Sequence, residues 1–346
     1  MSLDRIRLAS LHDKVISAEE ASAFIEDGMT VGMSGFTRAG EAKAVPLALV
    51  KRAHTNPLKI TLITGASLGN DLDKQLTEAG VLARRLPFQV DNTLRKAINN
   101  GEVMFIDQHL SETVEQMRNL QLKKPDVAII EAVAITEDGG IIPTTSVGNS
   151  ASFAIFAEKV IVEINTNLSP AFEGLHDIYI PTYRPTRQPI PLTQVDERIG
   201  THAINIDPAK IVGIVINNDL HDSPSTVTAP DDETQGIADH LIAFFEKEVA
   251  EERLPKNLGP LQAGIGSIAN AVLTGLKDSN FEDLVMYSEV LQDCTFELID
   301  AGKMKFASGS SITLSAKYGE KVFNNLEAYK DKLVLRPQEI SNHPEL

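Results

Sequence analysis

A chain of 346 residues with 42% hydrophobic content can bury the cores of two domains and reads as globular. Its formal net charge of −16, with no basic cluster to offset it, argues against a nucleic-acid surface, and no apolar run approaches the roughly 18 residues of a membrane span. The single cysteine, Cys294, excludes an internal disulfide framework and a four-cysteine zinc site; with a charged start that lacks an apolar leader, it predicts a cytoplasmic protein.

Taken in order, Ser17-Ala-Glu-Glu20 is a capping box that predicts a helix over 18–27. Residues 29–34 read as a strand, leaving through a loop bracketed by Gly32, Gly35 and Gly40, which permits close approach of the backbone to a ligand or another loop. A helix over 44–53, a strand over 59–64 and a helix over 71–79 continue the alternation. Residues 103–107, 126–130, 159–164 and 210–216 are short, near-continuous apolar runs, the pattern of strands buried on both faces of a mostly parallel sheet. Residues 146–150 lead into a helix over 151–158, with Asn149 or Ser150 as its N-cap.

Four prolines and three arginines in 181–200 forbid regular structure. Arg184, Arg187 and Arg198 could meet anions, but Asp196 and Glu197 are ready partners and surface ion pairs are preferred. Asp231-Asp-Glu233 caps a helix over 234–253, on which Ile237, Leu241, Phe244, Phe245 and Val249 recur as a core stripe. The boundary falls just before it, giving domains over 1–219 and 220–346.

Residues 260–294 have the length of one βαβ unit: a glycine turn, a helix from Ser267, a short apolar strand over 284–287, and Glu289 where that strand ends. If the flanking strands are parallel neighbours, Glu289 emerges beside the free amides of the turn. Two chemistries fit. In one, Gly264, Gly266 and Ala269 hold a pyrophosphate and Glu289 a ribose hydroxyl, although Gly259 and Pro260 interrupt the strand this would need. In the other, Glu289 is a nucleophile and the turn amides form an oxyanion hole. Beyond lie a helical stretch over 296–300, a turn-rich 303–315, a helix over 324–330 and a strand over 332–335. The histidines lack metal-ligand spacing, and Cys294 reads as a buried thiol.

Four stretches in one order, G-M-S-G-F-T at 32–37, G-I-G-S-I-A-N at 264–270, Y-S-E-V-L-Q-D at 287–293 and L-R-P-Q-E-I-S-N-H-P-E at 335–345, resemble the acetyl-CoA hydrolase/transferase family, the class I CoA-transferases that include the succinyl-CoA:acetate type. The resemblance implies two open, mostly parallel α/β domains with the site at their junction, the second domain incomplete because members of the family extend further. It implies Glu289 as the nucleophile that becomes a glutamyl-CoA thioester, with Asn342 beside it. Gly264, Ile265, Gly266, Ser267 and Ile268 would line the CoA side, and the 32–40 loop would border the acyl site. Acyl-CoA and small carboxylates are then substrates, with no resident cofactor or metal, in a homodimer. The competing class is an NAD- or sugar-phosphate-binding α/β protein.

Overall fold

The computed structural model describes residues 3–226 and 231–346; Met1 and Ser2 of the charged start, and 227–230 within the expected second domain, lie outside it. The strands are β1 (Thr30–Met33), β2 (Ile60–Ile63), β3 (Leu82–Leu86), β4 (Met104–Phe105), β5 (Val127–Ile135), β6 (Ile141–Pro143), β7 (Lys159–Asn165), β8 (Ile211–Asn217), β9 (Pro260–Leu261), β10 (Leu284–Tyr287), β11 (Val290–Leu291), β12 (Met304–Gly309), β13 (Ser311–Ile312) and β14 (Leu333–Leu335). The first eight form one sheet in the spatial order β4-β3-β2-β1-β5-β7-β8, parallel throughout, with β6 added antiparallel to β5. A second parallel sheet runs β14-β12-β10-β9, and β11 pairs with β13 in a two-stranded parallel ladder.

The apolar runs explain the first sheet. All nine residues of β5 are buried, as expected for a central strand covered by helices on both faces. The Ser17 hydroxyl accepts the Glu20 N–H while the Glu20 carboxylate accepts the Ser17 N–H, so the capping box forms, on a helix that runs only Ala18–Ser22.

Because the strands within each sheet are parallel, their exits gather on one edge, and the two edges face each other. The backbone crosses this junction repeatedly: Ile312 N donates to Thr145 O at 2.8 Å, Val147 N to Ser310 O at 2.9 Å and Gln338 N to Gly148 O at 2.9 Å. The Gln338 side-chain nitrogen donates to both Gly65 O at 3.0 Å and Leu110 O at 2.8 Å. A Cβ at Gly65 would lie 2.6 Å from the Gln338 Oε1, so this approach demands a glycine. Arg118 and Glu339, both buried, add a two-pronged ion pair at 2.7 and 2.6 Å.

Several local expectations are corrected. The region over 303–315 is not turn-rich but carries β12 and β13; in place of a helix over 324–330 there are short 3-10 helices at Leu326–Ala328 and Lys330–Lys332, preceded by an α-helix at Ala316–Phe323 that the sequence reading did not place. The stretch at 296–300 belongs to a longer helix, Asp293–Asp300. On the long helix Asp232–Ala250 the inward residue is Ala238, with Ile242, Phe245 and Val249 packed against the core. Ile237 and Phe244 are exposed instead, because positions 237 and 244 fall on the flank of that face. Asn149 stands at the N-cap of the helix Ser150–Phe156, but its amide donates to Thr64 O across the first sheet instead of capping.

Candidate active site

The glycine turn is fixed by its neighbours. β9 lies parallel beside β10, with Pro260 opposite Val285 and Leu261 opposite Met286, and the helix Ser267–Asp278 starts directly from Gly266. Gly266 has φ 147°, a conformation side chains resist, although a Cβ there would meet nothing within 4 Å. The Ser288 hydroxyl donates to Ala263 O at 3.0 Å and accepts the Ala263 N–H at 3.3 Å, and Gln292 Nε2 donates to Gly264 O at 3.3 Å. Three bonds therefore hold the turn to the strand exit that carries Glu289.

Glu289 is the second of the two residues between β10 and β11, after Ser288, and its carbonyl accepts the Ser310 N–H at 2.7 Å. Phe36, from the loop leaving β1, packs with Ala66 against Val290, the next residue. The Glu289 carboxylate is half-buried. Loss of solvent pushes its pKa above the usual carboxylate range, and the charge of His109 opposes that rise.

Glu289 opens into a cavity of about 460 Å³, lined also by Asn342, His343, Tyr287, Gln262 and residues 192–195. The Tyr287 hydroxyl donates to Ile340 O at 2.7 Å, which holds the helix Gln338–Ser341 over β10; Asn342 follows at its end, its amide nitrogen donating to Gln338 O at 3.2 Å. The structure thus brings Glu289 and Asn342 to one cavity. Gly264, Ile265, Gly266, Ser267 and Ile268 line a neighbouring, mostly apolar cavity of about 580 Å³ with Leu241, Phe245 and Val272, and Gln262 borders both. Gln262 had no signal in the sequence, since only the fold places it here, and Tyr287 stood in the Y-S-E-V-L-Q-D stretch without a role of its own.

Among the other candidates, Arg187 reaches the edge of this centre, its guanidinium nitrogen 3.1 Å from His343 Nε2. Arg184 pairs with Glu115, Arg187 with Glu345 at 2.9 Å, and Arg198 donates to His176 O at 3.0 Å, so Asp196 and Glu197 are not their partners. Cys294 is a buried free thiol whose pKa desolvation pushes up to about 12. Among the described residues no group of three His, Cys, Asp or Glu side chains could hold a metal, and no helix is long and apolar enough to cross a membrane. A dinucleotide fingerprint would need a solid strand before its glycines, whereas β9 has two residues, one of them exposed.

A second concentration of charge sits at the exits of β1, β5 and β7. Buried Lys43 pairs with Glu131 at 2.6 Å and with Asp222 at 2.7 Å. Glu163 accepts the N–H groups of Lys43, Ala44 and Val45 at the start of the helix Ala44–Ala53. Glu41, whose Oε1 accepts from Asn70 at 2.9 Å, completes it. Desolvation raises Glu41 to about 7 and Glu131 to about 8, and the neighbouring carboxylates hold Lys43 well above its usual range despite its burial.

Known proteins share the sequence and the fold of this chain. The chain is 45% identical over 344 residues to a succinyl-CoA:acetate CoA-transferase of Clostridium kluyveri, aligning 99% of itself with 64% of that protein. It is 43% identical to an acetyl-CoA hydrolase of Schizosaccharomyces pombe, aligning 99% of itself with 67% of that protein. It therefore spans about two thirds of the length of these curated relatives. In fold it resembles RipA from Yersinia pestis, with a TM-score of 0.70 and 18% identity over 97% of this chain and 71% of that one. It also resembles a 4-hydroxybutyrate CoA-transferase from Porphyromonas gingivalis, with a TM-score of 0.63 and 18% identity over 97% and 70% of the two chains. The family model for the acetyl-CoA hydrolase/transferase N-terminal domain matches residues 2–216. On the matched residues, the identity across nearly its whole length and the paired parallel sheets, the chain belongs to the acetyl-CoA hydrolase/transferase family.

Proposed function

We propose that this chain carries the chemistry of an acyl-CoA:carboxylate CoA-transferase, with Glu289 as its nucleophile. The observation that carries the reading is the meeting of Glu289 and Asn342 on one cavity next to the glycine turn. The ionised Glu289 oxygen adds to the thioester carbonyl, a C–O bond forms, the C–S bond breaks, and the electron pair leaves on sulfur as CoA thiolate. The thiolate then attacks the glutamyl carbonyl of the acyl-glutamyl anhydride, giving a glutamyl-CoA thioester and the first free acid. A second carboxylate takes the CoA by the reverse steps; water in its place gives hydrolysis. Amides of the turn and the Asn342 side chain would meet the developing oxyanion, each such donor contributing about 3–4 kcal/mol.

Acetyl-, propionyl- or succinyl-CoA with acetate or succinate are the substrates proposed, the relatives being named for acetyl- and succinyl-CoA chemistry. CoA enters as a substrate and no resident cofactor is needed. The NAD or sugar-phosphate alternative is left without support. A homodimer in a reducing, cytoplasmic compartment completes the proposal, resting on the resemblance and on the free thiol of Cys294.

The test is covalent. Acetyl- or succinyl-CoA without acceptor should leave the mass of CoA on the peptide that spans Leu284 to Asp293, and borohydride should then abolish turnover. Glu289→Ala should carry no adduct and lose transfer by several orders of magnitude. A Glu289→Ala protein that still transfers CoA would remove Glu289 from the reaction.

A further inference from the structure

The amino ends of the first sheet hold a cavity that the reaction at Glu289 does not use. The sheet has two unlike faces: Leu62 and Leu82 join the core cluster of Val45 and Leu49, on the helix Ala44–Ala53, whereas Ile63 and Leu86 join that of Val114 and Met117, on the helix Thr113–Arg118. This last helix has 6 residues and is therefore about 9 Å long, while the four neighbouring strands from β1 to β4 span about 14 Å. It cannot cover its face, and the shortfall is a cavity of about 340 Å³, within the range of small-ligand sites. Parallel partners share a face, so Thr30, Thr61 and Arg84 form one row across β1, β2 and β3, and Ile63 and Leu86 lie side by side two residues further on. The cavity touches both rows. Arg84 is exposed at its mouth with Lys59 and Lys123, whereas Ile63 and Leu86 are buried, and Ile106 and Leu122 complete an apolar end.

We propose that this cavity binds an unbranched aliphatic carboxylate longer than acetate, with its charged end on Arg84 and Lys59 and its chain against Ile63, Leu86, Ile106 and Leu122. The charge pattern selects an anion. In a chain of formal net charge −16, three cations line this cavity and, among the described residues, no carboxylate does. Lys123 is spent on Asp126 at 2.6 Å, and Asp27, beside the lining Gly28, takes only the backbone N–H of Lys59 at 2.7 Å. The side chains of Lys59 and Arg84 have no ion pair or hydrogen bond among the described residues. A guanidinium takes both oxygens of a carboxylate at once. A bare phosphate would leave the apolar end unused, and a neutral chain would leave the two cations without a counter-charge. Because the cavity lies at the amino ends of β1 and β2, whereas Glu289 follows the carboxyl end of β10, the proposal does not rest on the reading of Glu289.

Isothermal titration calorimetry with octanoate, acetate and octylamine tests this on wild type, Arg84→Glu, Ile106→Trp and Glu289→Ala. Octanoate should saturate wild type and Glu289→Ala alike. Arg84→Glu, a change at an exposed side chain, should bind it at least about tenfold more weakly, since an attraction becomes a repulsion. Ile106→Trp should lose octanoate by filling the apolar end; its melting curve shows whether it folds, and if it does not, Arg84→Glu decides alone. Acetate, which lacks the chain, and octylamine, which carries the opposite charge, should not saturate the protein. Equal octanoate affinity in Arg84→Glu and wild type overturns the proposal, as does octylamine binding as tightly as octanoate. Octanoate binding that disappears in Glu289→Ala overturns it too, because the acid then sits in the catalytic cavity. Vesicles of phosphatidylglycerol that sediment wild type but not Arg84→Glu, with no binding of free octanoate, would assign these cations to a membrane surface and overturn it as well.

Discussion

At the scale of single residues, the two glycines of the turn separate backbone demand from space. Gly266 holds φ 147° with open surroundings, whereas Gly264 is equally open and outside the positive-φ region. Gly266→Val should therefore cost about 1–3 kcal/mol of strain and raise the KM for acyl-CoA, while Gly264→Ala leaves the fold intact. Thermal melts beside acyl-CoA saturation curves check both; a Gly266→Val protein with wild-type KM would take the turn out of the CoA site. Glu289 and Asn342 were legible only through the motifs around them, since one glutamate after a short apolar run is ordinary. The packing of Leu110 on Val290, beside Glu289, was not legible at all, because no sequence spacing encodes it.

At the scale of elements, the pair Arg118–Glu339 joins the helix Thr113–Arg118 of the first unit to the helix Gln338–Ser341 that leads to Asn342. Both side chains are buried, and desolvation keeps Glu339 above the usual carboxylate range against the pull of Arg118. Arg118→Met alone should destabilise by about 3–5 kcal/mol, since it strands a buried carboxylate, whereas adding Glu339→Leu should recover most of the loss. Urea denaturation of the single and double variants decides this, and additive losses would contradict it. Most strands were legible because apolar runs such as Val127–Ile135 have few other uses. β12 and β13 were not, because Ser308, Gly309, Ser310 and Ser311 resemble turn residues. Their small side chains instead let the second sheet come within hydrogen-bond reach of Thr145 and Val147. The stripe on Asp232–Ala250 was half legible: its period is right, but the buried face is turned so that Ile237 and Phe244 are left outside.

At the scale of the whole molecule, the buried charges around Lys43 set how stability follows pH. Glu41 and Glu131 have folded-state pKa values raised to about 7 and about 8 from an ordinary 4.5, so the folded state binds more protons than the unfolded chain between those values. Stability should then be greatest below the ordinary carboxylate range as far as these two groups decide it, and be lost as pH rises through 7 to 8. Glu41→Gln should flatten that decline, because the amide mimics the protonated acid, while Lys43→Met should destabilise more as pH rises and the carboxylates it faces, Glu131 and Asp222, ionise without a counter-charge. Denaturation midpoints measured on both sides of neutrality check the slope, and a Glu41→Gln protein with the wild-type slope would exclude Glu41 as its source.

The amide of Gln338 has a mechanical consequence. One nitrogen bridges the carbonyls of Gly65 and Leu110, on two different loops of the first sheet, while the Gln338 backbone N–H is spent on Gly148. Any shear of one sheet past the other breaks all three bonds together, so the junction behaves as a rigid block and not as a hinge. Traffic of a thioester and its acid is then expected through a wall outside the locked junction, and the stretch at 192–195, outside every helix and strand, is one such wall. Deuterium should enter the amides of 192–195 far sooner than those of β10 and β12, and CoA should slow that entry without altering the exchange of Gln338.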